Sequence, residues 1–160
     1  MKARLFFIIA GVLVCLSTPA WAEKPQDPIE SMCFDDAGDM YNIAPKLLMA
    51  IAKTESEFRL NATSPINSNG TQDHCHMQIN TLWKKVLKED WQYLSDPCYC
   101  TKVGAWILSQ CIDRYGYSWD AVACYNTGQS TKAKNRNRRK KAKQYVAKVK
   151  SALVSLEKEL

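Results

Sequence analysis

The sequence predicts a mainly α domain with one small β element, and three observations carry that reading. Apolar residues recur at helical spacing in five segments with recognisable start and stop residues. The strand signal is weak and confined to about 63–80. The 138 residues from 23 to 160, left after an N-terminal leader, suit a single core.

The leader is residues 1–22. Lys2 and Arg4 precede the apolar run Leu5 to Leu16, and Ala20-x-Ala22 is a small-residue cleavage pattern, which together make a secretory signal peptide. The run is shorter than the ~20 residues a membrane-spanning helix needs. A mature chain starting near Glu23 is therefore expected outside the cytoplasm, with no transmembrane anchor. Cys15 leaves with the leader, and the six remaining cysteines, an even number in an exported chain, predict disulfides. Six cysteines allow 15 pairings, and the spacing does not choose among them.

The first helix signal is Asp27-Pro28-Ile29-Glu30, a cap, a first-turn proline and a capping-box acid, continued by Met32, Cys33, Ala37, Met40 and Tyr41. Pro45 opens a second helix to about Phe58. Leu60 to Thr71, rich in Asn, Ser, Pro and Gly, predicts a loop or small hairpin around Asn69-Gly70. Asp96-Pro97 starts a third helix that Gly116 stops. Ser118 caps a fourth, Trp119 to about Tyr125, ended near Gly128, and a fifth covers about Lys132 to Lys158.

Charge divides the chain. Residues 23–130 hold 9 Lys+Arg and 14 Asp+Glu, whereas residues 131–160 hold 11 and 2. The basic C-terminal helix points to an anionic partner, and export sets nucleic acid aside. Its Ala142, Val146, Val149, Leu153, Leu156 and Leu160 form a narrow apolar seam. That seam packs either on its own domain or on a partner helix.

The second helix holds a carboxylate on the wrong face. At about 100° per residue, Glu55 lies about 20° from Leu48 and about 40° from Ile51, on the apolar side, while Glu57 points the other way. Desolvation raises a carboxyl pKa. A carboxylic acid still protonated near neutrality can donate to a leaving oxygen, as glycosidic bond cleavage requires. The alternative is a boundary glutamate whose head reaches water or a buried cation.

The segment Lys53-Thr54-Glu55-Ser56-Glu57-Phe58 resembles the Glu-Ser segment of lysozyme-like lytic transglycosylases. Met77-Gln78-Ile79-Asn80 is similar to the family's Gly-Leu-Met-Gln-Ile segment, and Ala123-Cys124-Tyr125-Asn126-Thr127-Gly128 to its Ala-Tyr-Asn-x-Gly segment. The three occur in family order, and the resemblance covers roughly 31–130. The small size and the cysteines look most like specialised members associated with type III or type IV secretion, conjugation or pilus systems. Two departures stand out. His74-Cys75-His76 replaces the usual apolar-Gly-apolar, and a cysteine there restricts the backbone. Asp73 stands where animal lysozymes, rather than typical transglycosylases, keep a second carboxylate.

The resemblance implies an α+β lysozyme-like fold in the periplasm, no cofactor, and peptidoglycan as substrate. It implies cleavage between N-acetylmuramic acid and N-acetylglucosamine to a 1,6-anhydro product. Glu55 would act as acid and then base. Tyr125 would hydrogen-bond near Glu55, Gln78 would hold the glycan, Met77 would line the groove, and Ser56 and Asn126 would support the site; a core aromatic, a surface amide and a core methionine are the plainer readings of Tyr125, Gln78 and Met77. Asp73 either stabilises the charged sugar or caps a turn. Cys75 and Cys100 fall outside the family pattern, so parity implies that they pair. A zinc site from His74, Cys75, His76, Cys98 and Cys100 is set aside, because adjacent ligands do not wrap one tetrahedral ion. Three activities stay open: a transglycosylase that opens the wall for an apparatus docked through the C-terminal helix, a hydrolase using Glu55 and Asp73, or a non-catalytic wall-binding factor.

Overall fold

The computed structural model describes residues 28–159, so the leader, the stretch from Glu23 to Asp27 and Leu160 lie outside the described residues. Six α-helices and one two-stranded antiparallel sheet follow in the order α1 (Phe34–Tyr41), α2 (Pro45–Ser56), β1 (Asp73–His74), β2 (Ile79–Asn80), α3 (Lys84–Leu87), α4 (Pro97–Tyr115), α5 (Trp119–Thr127) and α6 (Arg136–Glu159). This is the mainly α class with a minor β element that the periodicity predicts. No described helix is long and apolar enough to cross a membrane.

The expected first helix is broken in two. A 3-10 turn, Glu30–Met32, ends at Cys33, whose φ of 52° is left-handed, and α1 starts afresh at Phe34. The break turns both Met32 (0% exposed) and Phe34 (5%) into the core, and the Cys33–Cys98 disulfide ties it to the start of α4. The stretch 81–95, to which the periodicity assigns nothing, is also helical: a 3-10 turn Thr81–Trp83, then α3, then a 3-10 run Lys88–Ser95. Such short turns bury too little to leave a readable pattern; Leu94 alone is buried in the last of them.

α2 is the buried axis. Leu48, Ala50, Ile51 and Ala52 are inaccessible, and Pro45 occupies the first turn. The helix stops at Ser56, short of the expected Phe58, because Glu57 and Phe58 both take left-handed φ values of 52° and 60°. Glu55 therefore sits in the final turn. α4 begins as predicted: the Asp96 carboxylate accepts from the Tyr99 N–H at 2.7 Å and Pro97 follows it. Ser118 precedes α5 but does not cap it; its hydroxyl donates back to the Tyr115 carbonyl at 3.0 Å.

α6 starts at Arg136 rather than Lys132, because the Asn135 side chain accepts from the N–H groups of Asn137 and Arg138 at 3.0 and 3.1 Å. It packs against α2 and α5. Ala142, Tyr145, Val146, Val149 and Leu156 are buried. Of the apolar seam, Ala142, Val146, Val149 and Leu156 are thus buried on the chain's own domain and Leu153 is half-buried against it, while Leu160 lies outside the described residues. Burial of each larger side chain contributes about 1.5–3 kcal/mol, so α6 is part of the core rather than an appendage.

Three disulfides join Cys33–Cys98, Cys75–Cys100 and Cys111–Cys124, the second being the pair implied above. Their sequence separations of 65, 25 and 13 residues correspond in the chain-entropy account to roughly 4, 3.5 and 3 kcal/mol. The native protein should show no free thiol on alkylation under denaturing conditions, and reduction should lower its melting midpoint by well over 10 °C. Two or more thiols in natively exported protein would contradict this.

Candidate active site

The segment around β1 and β2 is built on polar side chains. β1 pairs with β2 in the register Asp73↔Asn80 and His74↔Ile79, and Thr63 bridges to His74 on the other side. The reversal between β1 and β2 is made by Cys75 to Gln78, not by Asn69-Gly70; Gly70 instead shapes the loop 67–71, where Asn67 N–H donates to the Thr71 carbonyl at 2.7 Å. Within that reversal Cys75 takes φ 58° and Gln78 φ 50°. A residue with a Cβ pays roughly 1–2 kcal/mol there, and the Cys75–Cys100 disulfide holds it in place. The cysteine at a glycine position therefore keeps a glycine-like loop. α4 approaches closely behind it: a Cβ on Gly104 would lie 2.6 Å from the Met77 Cε.

The three motif segments are laced to one another. Ser56 Oγ donates to the His76 carbonyl at 2.9 Å. Tyr125 Oη donates to the Met77 carbonyl at 2.7 Å. Asn126 Nδ2 donates to Glu55 Oε1 at 3.3 Å. Ser56 (3% exposed) and Met77 (0%) are buried. Ser56 anchors the β1–β2 reversal to the end of α2, and Met77 is core. Tyr125 does not bond Glu55; its hydroxyl is used on the Met77 carbonyl, and burial beside Glu55 and Asp73 holds its pKa well above the usual phenol range. Gln78 is half-buried, and its Nε2 donates to the carbonyls of Cys75 at 2.9 Å and Ala62 at 3.3 Å.

The residue that does hold Glu55 is Tyr145, on α6. Its hydroxyl donates to Glu55 Oε1 at 2.7 Å, and its ring is buried. Sequence reasoning missed it by treating residues 131–160 as a separate helix. The available signal was a lone tyrosine beside Val146 on the seam of a basic helix, since a buried tyrosine needs a partner for its hydroxyl.

Burial pushes the Glu55 carboxyl up to about 7; Tyr145 and Asn126 pull against that by hydrogen bonding, the negative charge of Asp73 adds to it, and Lys148 opposes it. Both bonded partners are neutral, so Glu55 is not locked as an ion. Glu57, in contrast, is exposed. Because Tyr145 stabilises the ionised form, Tyr145→Phe should raise the Glu55 midpoint by roughly one unit, read from the pH titration of its carboxyl carbon by NMR. A midpoint that stays near 7 would show that the bond is not made in solution.

Asp73 is half-buried in a polar setting. Its Oδ1 accepts from Asn80 Nδ2 at 2.6 Å, and its Oδ2 from Asn67 Nδ2 at 3.1 Å and Ser64 Oγ at 3.2 Å. The site thus offers two half-buried carboxyls, Glu55 with its pKa raised by burial and Asp73 held by amide and hydroxyl groups. Such a pair can divide acid and charge-stabilising work.

The zinc alternative lacks ligands, because every cysteine among the described residues is in a disulfide. His76 is fully buried, its Nε2 lies 2.8 Å from Thr101 Oγ1, and burial lowers its pKa to about 4, so it is neutral. His74 packs edge-on against Trp91.

Known proteins are similar to this chain. The family described as "Transglycosylase SLT domain" matches residues 32–147, a span that includes Tyr145. Invasion protein IagB of Salmonella typhimurium is 42% identical over 131 residues, covering 79% of this chain and 75% of the relative. Protein IpgF of Shigella flexneri is 41% identical over 106 residues, covering 64% and 69%. The solved structure of an inactive mutant of lytic transglycosylase Slt from Pseudomonas aeruginosa matches with a TM-score of 0.62 at 20% identity. That match covers 84% of this chain but 24% of the Slt chain, so it speaks for the lysozyme-like fold of one region of a larger protein. With the family match spanning most of the chain and its three motif segments laced around one shielded glutamate, this protein belongs to the SLT family of peptidoglycan lytic transglycosylases.

Proposed function

We propose that this chain cleaves the β-1,4 bond between N-acetylmuramic acid and N-acetylglucosamine with Glu55 as acid and then base, releasing 1,6-anhydro ends. The observation that carries the proposal is the Glu55 carboxyl, raised to about 7 by burial and held by neutral partners. A group that must give a proton and then take one works best with a pKa near the ambient pH. In the first step protonated Glu55 donates to the bridging oxygen. The C1–O bond breaks with its electron pair going to that oxygen, and the charge left at C1 is shared by the acetamido oxygen of the same sugar. In the second step the Glu55 carboxylate removes the proton from the 6-hydroxyl, whose oxygen bonds to C1. The ring closes, Glu55 is protonated again, and no water is consumed. Tyr145 and Asn126 position the carboxyl; Gln78, with its amide nitrogen engaged in the loop, has its amide oxygen to offer a sugar.

A second reading rests on Asp73. A carboxylate braced by neutral side chains suits a negative charge placed beside a positive sugar, and such a pair would let water finish the reaction. Digestion of purified peptidoglycan followed by mass analysis of the muropeptides separates the readings. Anhydro ends support the transglycosylase, reducing ends heavier by one water support the hydrolase, and undigested sacculi overturn both in favour of a wall-binding factor. The leader and the disulfides support a periplasmic location. The relative named an invasion protein supports a role in opening the wall locally for a secretion, conjugation or pilus apparatus. Since most of the apolar seam of α6 is buried in the domain, an apparatus protein docking on this helix would meet its exposed basic side chains.

A further inference from the structure

The bond from Tyr145 to Glu55 fixes which side of α6 faces that carboxyl. On a helix, residues three and four apart share a face. Lys148 stands three residues after Tyr145, Lys141 four before it, and Arg138 seven before it. All three are exposed while Tyr145 between them is buried. They share the Tyr145 side of the helix, and of the three it is the charge of Lys148 that acts on Glu55. No Asp or Glu occurs on α6 before Glu157, so the row has no acidic neighbour on its own helix. The mature chain before α6 is net acidic, and α6 also carries Arg136, Arg139, Lys140, Lys143, Lys150 and Lys158. A polyanion is therefore drawn to α6 rather than to the rest of the domain, and Tyr145 sets the row of Arg138, Lys141 and Lys148 on the side that meets Glu55.

We propose that Lys141 and Lys148, with Arg138, form a cationic rim that binds the carboxylates of the peptide stems on peptidoglycan, alongside the glycan held at Glu55. The proposal rests on peptidoglycan being the substrate. The sugar backbone of an intact strand is neutral where a stem is attached, because the muramic acid carboxyl is then an amide. The anionic groups lie on the stems, which branch from the muramic acid whose bond is cut. A rim beside the cleft meets those stems when the strand is seated. The enzyme would then select stem-bearing strands through charge, with an ionic-strength dependence that a purely sugar-reading cleft lacks.

The test uses the mature Glu55→Gln protein, which binds without digesting, in a pelleting assay against two preparations of sacculi. One is native. In the other the carboxylates are amidated with carbodiimide and ethanolamine, leaving strands and stems in place. Native sacculi should retain the protein at least ~10-fold more tightly at low salt, and the preference should shrink at 0.5 M salt. Adding Lys141→Gln and Lys148→Gln should reduce the preference at least fivefold. Adding Lys143→Gln and Lys158→Gln instead, which removes the same two charges from α6 away from the Tyr145 side, should leave it unchanged. These side chains are exposed, so matching melting midpoints confirm that all variants fold. Equal retention on both preparations overturns the proposal, as does a preference that survives the double lysine substitution; a membrane or an acidic protein is then what the rim serves. Cleavage by the wild-type protein is scored separately. Carboxylate-dependent retention without cleavage would keep the rim and remove the catalytic reading of Glu55.

Discussion

Glu55→Gln should abolish turnover of purified peptidoglycan while leaving the fold intact. General acid–base catalysis contributes about 10²–10⁴-fold, and here a single carboxyl serves both steps, so a loss of at least ~1000-fold is expected. Glutamine is nearly isosteric and can still accept from Tyr145. Glu57→Gln, on an exposed side chain one residue past α2, should keep most activity. Stability adds an independent signature. The folded Glu55 titrates near 7 against an ordinary 4.5, so the native state holds the proton more tightly than the unfolded chain. Its favourable contribution is full below about 4.5 and is lost as pH rises through 7. The total is on the order of 3 kcal/mol, a penalty that glutamine does not carry. Denaturation at pH 5 and pH 8 should therefore show wild type weakening relative to Glu55→Gln across that window. Near-normal turnover by the variant would remove Glu55 from the mechanism; parallel pH–stability curves would show that its carboxyl is not shielded.

The position of Glu55 was legible because it rests on local geometry. A helix opening at Pro45 with Leu48 and Ile51 inward dictates where residue 55 points. The starts at Pro45 and Asp96-Pro97 and the stop at Gly128 were legible for the same reason: each depends on a few neighbouring residues. What escaped depends on tertiary context. Periodicity runs straight through Cys33, where a left-handed break turns Met32 and Phe34 inward and the tie to Cys98 joins it to α4. Tyr125 was given the partner that Tyr145 has, because which of two buried hydroxyls reaches Glu55 is decided by how α5 and α6 pack on α2. Ser56 and Met77 occur in a recognisable pattern, but a pattern does not distinguish a residue that touches substrate from one that holds the loop next to it. Here both are inside. Sequence alone also leaves open whether the apolar seam of a basic helix meets its own domain or another protein, since the same pattern serves either.

Asp73→Asn should lower turnover about 100-fold, a loss of about 2.7 kcal/mol of transition-state stabilisation. The structure alters how that result must be read. A turn aspartate can be replaced by asparagine with little change when one oxygen is in use, but both oxygens of Asp73 accept, one from Asn80 and the other from Ser64 and Asn67. An amide offers one acceptor and turns its nitrogen toward a donor, so the hairpin loosens as the charge disappears. Ser64→Ala and Asn67→Ala separate the two effects. Each removes a donor and keeps the carboxylate, so each should lower the melting midpoint modestly and leave turnover within about fivefold. If instead either donor variant loses as much turnover as Asp73→Asn at a similar cost in stability, Asp73 acts by bracing the hairpin that carries Gln78. A tenfold loss or less in Asp73→Asn, at unchanged melting midpoint, would remove it from the catalytic pair. The charge reading makes one further demand: because the negative charge of Asp73 raises the Glu55 pKa, Asp73→Asn should shift the Glu55 titration downward, whereas the donor variants, which leave the charge in place, should not.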